Sequence, residues 1–325
     1  MKISIKKKVF TTLCIASLAL ILVPSTALPW DIATHTYIEE HLFKQQGLTD
    51  SAVLYNRIYG SMTIDIFNSN FTSPFLEFAT YLHDPTQNNF LKVWEKAGAG
   101  AEAEKAFAYG FVGHNNTWGM DSTAHISGVT YGRGEGYVIA KARILAAVLK
   151  PMLESPEVGL SLPDDVLVGI CHYLVESGVD LLVRSLDPSI GNKLMAAAFY
   201  RSDEIPGLLV KAYAPDFSAL AGSSQNVAQI ILAAEGMFRA STMGYGWALT
   251  QDNALDLVAG GLARQAVGYF NFLGLPPVPD ATVVQVAKQG IFAAMSLCAP
   301  DFEAELRATT GWVNGRLSSE EISWQ

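Results

Sequence analysis

Residues 113–125 read GHNNTWGMDSTAH, placing two of the chain's six histidines around one aspartate. At about 100° per residue on a helix, the steps from His114 to Asp121 and from His114 to His125 both end within about 20° of the starting direction. Such a helix would point an imidazole, a carboxylate and a second imidazole the same way. Asn115, Asn116 and Gly119 are poor helix formers, so Asp121 and His125, four residues apart, form the firmer pair. CHYLVES repeats the spacing with His172 and Glu176 inside an apolar run. Imidazole and carboxylate one helical turn apart can reach a common ion, and this donor set suits zinc. Each pair also has a plain reading, a hydrogen-bonded core histidine and a glutamate in a salt bridge or facing solvent. The remaining candidates are too many for one such pair: His35 in PWDIATH, Asp65 in GSMTIDIF, and His83 beside Asp84 in YLHDPTQNN. His41, in YIEEHLFKQ, reads as part of an exposed helix face and receives no role.

The segments that must position these groups read as helices. Residues 134–154, 164–186, 225–249 and 252–273 are rich in Ala and Leu, with apolar residues recurring every three or four positions. Alternation of the strand type is scarce, and Pro and Gly groups punctuate the runs. The expectation is an all-α chain. The 225–249 run is long and apolar, but Glu235 and Arg239 four residues apart suit a charge pair on a core helix better than a membrane span. YGRGEGY, residues 131–137, lacks a preceding strand and a following GK[ST], and reads as a flexible connector. Residues 186–325 carry no recurring ligand spacing, and either complete the bundle or shape a cleft. Met237, Phe238, Tyr245, Trp247, Tyr269, Phe270 and Phe272 read there as core packing rather than a lipid-binding surface.

Four lysines, an apolar run from Val9 to Val23 and the small residues Ser25 and Ala27 have the layout of a secretory signal peptide, residues 1–27. The expected product is secreted or periplasmic. Without those four lysines, 18 basic side chains face 31 acidic ones, a formal charge of −13. That surface disfavours a nucleic-acid partner, whose binding depends on phosphate neutralisation. Cys171 and Cys298 either pair in the oxidising compartment or stand as two buried free thiols.

Taken in order, Trp30 with ATH ending at His35, GSMTIDIF, the His/Asp/His cluster and HYLVE resemble the zinc-dependent phospholipase C family. That family includes bacterial phosphatidylcholine hydrolases and the catalytic domain of glycosylphosphatidylinositol-specific phospholipase D, and is related in fold to the S1/P1 nucleases. The resemblance runs from Trp30 to about Glu176. It implies a helical bundle with a multi-zinc cleft, a catalytic region over residues 28–185, and a helical C-terminal region over 186–325 that belongs to the same or a separate domain. It further implies two or three zinc ions: one on Asp65, His83, His114 and Asp121, a second on His125, His172 and Glu176, a third on His35, a bridging Asp121 and the backbone of Trp30. Asp65 would double as the catalytic base. The implied reaction is hydrolysis of a phosphodiester by metal-activated hydroxide, on a phospholipid or another phosphodiester, with the membrane met only as substrate. A nuclease or phosphatase on the same scaffold, or a non-catalytic zinc-binding helical protein, are the alternatives.

The chain departs from the family pattern in three places. Six residues separate His114 from Asp121 where three are common, so either a loop is inserted or His114 is displaced. Asp84 competes with His83 as ligand. A cut after Ala27 leaves Leu28 and Pro29 ahead of Trp30, and its nitrogen can coordinate as an amine only after further trimming.

Overall fold

The Ala- and Leu-rich runs become helices whose ends lie where the punctuation falls. The computed structural model describes residues 31–324 apart from 69, 71, 99, 156–160, 222–225 and 273–278, and the side chains of residues 269–272 are likewise outside the description. Trp30 and the signal-like residues 1–27 therefore lie outside the described residues, as do the side chains of Tyr269, Phe270 and Phe272. Among the described residues there are fourteen helices and no strand. In order they are α1 (Ile32–Gln45), α2 (Ser51–Thr63), α3 (Phe75–His83), α4 (Leu91–Ala97), α5 (Glu102–His114), α6 (Met120–His125) and α7 (Tyr137–Leu153). Then follow α8 (Asp164–Leu186), α9 (Ile190–Tyr200), α10 (Ile205–Ala221), α11 (Val227–Thr250), α12 (Ala254–Phe272), α13 (Asp280–Cys298) and α14 (Phe302–Ser319). The protein is all-α, as its periodicity predicts.

Side chains start the first two helices. The carboxylate of Asp31 accepts from the Ile32 amide, and that of Asp50 from the amides of Ala52 and Val53. Where α2 crosses α5 the backbones touch: a Cβ on Gly60 would lie 2.0 Å from the Phe107 carbonyl oxygen, and one on Gly110 2.0 Å from that of Arg57. Only hydrogen fits at both crossings, and this close approach sets the spacing of the two helices that carry Asp65 and His114 at their ends. One hydrophobic core runs from Ile32 to Ile322, so the C-terminal helices pack into the same interior as the N-terminal ones. α8 and α13 are long and apolar enough to cross a bilayer, but α8 is mostly buried in the bundle between α7, α13 and α1.

Several expectations are corrected by the packing. The α1 face expected to be exposed is buried at Glu39 and Glu40, which pair with Arg57 (2.5 Å) and Lys193 (2.6 Å). Glu235 pairs with Arg201 (2.6 Å) rather than Arg239, and Arg239 instead donates to the Ala198 and Phe199 carbonyls at the end of α9. Phe238 is buried, but Met237 and Trp247 are exposed, so they do not join the core. The connector at 131–137 is held in place: the buried Glu305 carboxylate on α14 accepts from the amides of Val129, Thr130 and Tyr131. Three glycines with positive φ, Gly132, Gly134 and Gly136, make its turns. Cys171 and Cys298 are both buried free thiols.

Candidate metal centre

Six helices deliver the candidate ligands to one region. His35 lies in the first turn of α1, and Asp65 in the turn just past α2. His83 and His114 are the last residues of α3 and α5, and α6 carries Asp121 and His125. α8 supplies His172 and Glu176 from its middle. His35, Asp65, His114, Asp121 and Glu176 are fully buried.

The donors fall into three groups. His125 Nε2 and His172 Nε2 are 3.0 Å apart, and Glu176 Oε1 lies 3.0 Å from the first and 2.5 Å from the second. Asp65 Oδ1 is 2.9 Å from His83 Nε2, while Asp65 Oδ2 is 3.5 Å from His114 Nε2. Asp121 Oδ1 is 3.4 Å from His35 Nε2 and its Oδ2 is 2.8 Å from His114 Nε2. Oδ2 of Asp121 also lies 4.0 Å from His125 Nδ1, which links the groups. In each triad the donor atoms are within 4.8 Å of one another.

Three observations fit these groups to cations. A tetrahedral ion with bonds of about 2.0–2.1 Å spaces its ligand atoms about 3.3 Å apart, close to the separations seen. Among the described residues, Asp65 Oδ2, both carboxylate oxygens of Asp121, Glu176 Oε2 and His114 Nε2 are buried without a hydrogen-bond partner. The 2.8 Å approach of His114 to Asp121 is thus a contact without hydrogen-bond alignment. Each such orphan costs about 1–3 kcal/mol unless something else compensates it, and a cation does so for all of them. The histidines are also oriented from behind: Nδ1 of His114 donates to the Ser61 carbonyl (2.7 Å) and Nδ1 of His83 to that of Ala79 (2.9 Å), leaving Nε2 to face the cluster. Backbone acceptors behind the ring are the usual way a ligating imidazole is fixed.

The electrostatics are those of a site short of positive charge. Burial works against a charged His114, yet the carboxylates of Asp121 and Asp65 outweigh it and raise the imidazole to about 9. Burial would raise Asp121, but His114 holds its carboxyl well below the usual range. Burial pushes Glu176 up to about 8, against the opposing pull of His125, and pushes His172 down to about 4. His35 is lowered by burial and by the neighbouring His114.

A cleft of about 340 Å³ opens over the centre, lined by His83, His125 and His172, with apolar surface from Phe67, Leu76 and Tyr173 and amides from Asn68 and Asn116.

The structure brings together His35, Asp65, His83, His114, Asp121, His125, His172 and Glu176. Asp84 stands apart: its carboxylate accepts from the amide and hydroxyl of Thr86, so His83 is the residue that faces the centre. His114 is not displaced, because residues 115–119 form a loop between α5 and α6. Sequence reasoning missed Asn68, whose amide donates to Asp65 Oδ1 (2.5 Å), and Asp180, which continues the four-residue step of His172 and Glu176 along α8. That continued step was the available signal for Asp180, whereas nothing local marks Asn68.

Fold and site together define an all-helical protein with clustered His, Asp and Glu groups able to hold metal ions. No family model, no curated protein and no solved structure matches the chain.

Proposed function

We propose that the protein is an exported, zinc-dependent phosphodiester hydrolase of the phospholipase C type. The observation that carries this reading is the convergence of three His/Asp/Glu groups, with orphaned carboxylate oxygens, beneath one open cleft. Clustered zinc ions, when bound, acidify water, screen phosphate charge and stabilise a departing alkoxide. The chain's own part is to hold, orient and desolvate. Asp65 Oδ1 accepts from the Asn68 amide and lies 2.9 Å from His83 Nε2, and the Asp65 carboxylate can orient the attacking water and take its proton. His83, His125 and His172 present the centre to the cleft, while Phe67 and Leu76 offer surface to the apolar part of a substrate. A phospholipid or another uncharged-tailed phosphodiester fits that surface, and the acidic composition disfavours nucleic acid.

The test is turnover of phosphatidylcholine, bis(4-nitrophenyl) phosphate and a single-stranded nucleic acid, each with and without chelator. Chelator-sensitive cleavage of the lipid or the simple diester, reduced at least about 100-fold in Asp65→Asn, supports the proposal. Cleavage of nucleic acid alone moves the activity to a nuclease, and no turnover by the zinc-loaded protein leaves a non-catalytic metal protein.

A further inference from the structure

α8 carries an acid in line with its two candidate ligands. His172, Glu176 and Asp180 follow at steps of four, so they share one helix face. Asp180 is fully buried. Its oxygens grip the start of α1: Oδ2 accepts from the Ala33 amide (2.9 Å), and Oδ1 accepts from the Thr34 amide (2.8 Å) and the Thr34 hydroxyl (2.6 Å). First-turn amides have no acceptor four residues back; the Thr34 amide is shared with the Asp31 carbonyl (2.9 Å), and the Ala33 amide is taken up by this acid 147 residues away. The next residue is His35, whose Nε2 reaches Asp121. From α11 the Tyr245 hydroxyl lies 3.1 Å from Asp180 and 2.9 Å from Asp31, the residue that caps α1 locally.

We propose that Asp180, braced by Tyr245, is a positioning residue that locks the His35-bearing end of α1 to the His172 and Glu176 face of α8, and so sets the distance between two metal positions. The proposal rests on the metal reading above. Metal–ligand distances tolerate about 0.2 Å, whereas a helix slipping by one residue along its axis moves its side chains by about 1.5 Å. Three short bonds to one buried carboxylate remove that freedom. Glu176 and Asp180 on a single rigid helix mean that α1 cannot move without breaking its register to the His125, His172, Glu176 group.

The test is metal binding, not turnover. Wild type, His35→Ala, Asp180→Asn and the double variant are titrated with Zn²⁺ and with Co²⁺, with helix content and chelated melting temperature measured in parallel. We expect His35→Ala and Asp180→Asn each to weaken one ion at least 10-fold and to change the same visible Co²⁺ band, with the double variant no worse than His35→Ala. Tyr245→Phe and Thr34→Val, which keep the carboxylate and remove one hydrogen-bonding group each, should give smaller losses at the same ion and serve if Asp180→Asn does not fold. Wild-type binding in folded Asp180→Asn, or in both milder variants, overturns the proposal and leaves the metal reading standing. So does a loss that adds to that of His35→Ala or spreads over all the ions. A wild-type protein that takes up no ion overturns both.

Discussion

Nε2 of His114 stands 2.8 Å from Oδ2 of Asp121, although the two residues belong to different helices with residues 115–119 between them. That loop is built as tightly as a helix end. Asn115 Oδ1 accepts from the amides of Thr117, Trp118 and Gly119, and its Nδ2 donates to the Val112 carbonyl. A Cβ on Gly119 would lie 2.5 Å from the His114 carbonyl oxygen, so the return of the chain needs glycine there. From α14, Trp312 donates to the Trp118 carbonyl and Thr309 to the Thr123 hydroxyl. The C-terminal half thus buttresses the loop and α6, and among the described residues the candidate metal groups draw no ligand from it.

Asn115→Ala should therefore be destabilised by about 2–4 kcal/mol, from several buried hydrogen bonds at about 1 kcal/mol each. Denaturant unfolding reads the loss. The same variant should bind its metal more weakly, because the loop joins the two residues of the contact. A change below about 0.5 kcal/mol would show that the turn does not depend on this side chain.

Metal uptake should release protons. At pH 7 the metal-free centre holds a proton on His114, raised to about 9, and one on Glu176, raised to about 8. Both must leave for Nε2 and the carboxylate to coordinate. His83, whose burial is outweighed by Asp65 so that its imidazole is raised, adds to the release, so calorimetric zinc titrations in buffers of different ionisation enthalpy should report at least about two protons released per chain at pH 7. Buffer-independent heats would contradict this.

Without metal, stability should fall as pH rises above about 6.5. The folded His114 keeps its proton up to about 9, while an unfolded histidine loses it near 6.5, so its contribution is complete below 6.5 and is lost through 9. The folded Glu176 keeps its proton to about 8 and an unfolded one loses it near 4.5, so it adds the same sign from 4.5 to 8 and overlaps His114 between 6.5 and 8. His172, lowered to about 4, acts oppositely: its contribution is complete above 6.5 and is lost as pH falls towards 4. The chelated protein should lose on the order of 1–3 kcal/mol per pH unit between 6.5 and 8, whereas the zinc-loaded protein, whose ligand histidines take up protons only when unfolded, should gain stability as pH rises through 6.5.

How much of this was legible in the sequence follows from how local each cause is. The helices at 164–186 and 225–249 were readable because their apolar period is carried by the residues themselves, and the structure has them at Asp164–Leu186 and Val227–Thr250. The pairs Asp121/His125 and His172/Glu176 were visible for the same reason, since one helical turn fixes their geometry. What lay beyond one turn was not visible. The single-helix reading of residues 114–125 fails because Asn115 turns its side chain onto the amides of the following residues. Glu39 and Glu40 look like surface acids, and Glu235 like a partner of Arg239, until Arg57, Lys193 and Arg201 arrive from other helices. Asp180 and Glu305 cap backbone segments 146 and 174–176 residues away in sequence, which no window of spacing reveals.

The buried Glu39–Arg57 pair tests that point directly. Arg57 donates to Glu39 and Gln46 and its guanidinium lies 4.0 Å from the centre of the Tyr109 ring. Glu39→Gln leaves a buried guanidinium without its counter-charge and should cost about 3–5 kcal/mol in urea unfolding, against less than about 1 kcal/mol for the exposed pair variant Glu303→Gln. Equal, small effects would place Arg57 in contact with solvent.

The most direct test of the central claim is metal content. Elemental analysis of purified, zinc-equilibrated and desalted protein should find two or three zinc ions per chain, and a His125→Ala, His172→Ala double variant that keeps its helix content should lose at least one. A wild-type protein that retains no divalent metal after zinc loading would contradict the account, since it would leave Asp65 Oδ2, both Asp121 carboxylate oxygens and Glu176 Oε2 buried without a hydrogen-bond partner.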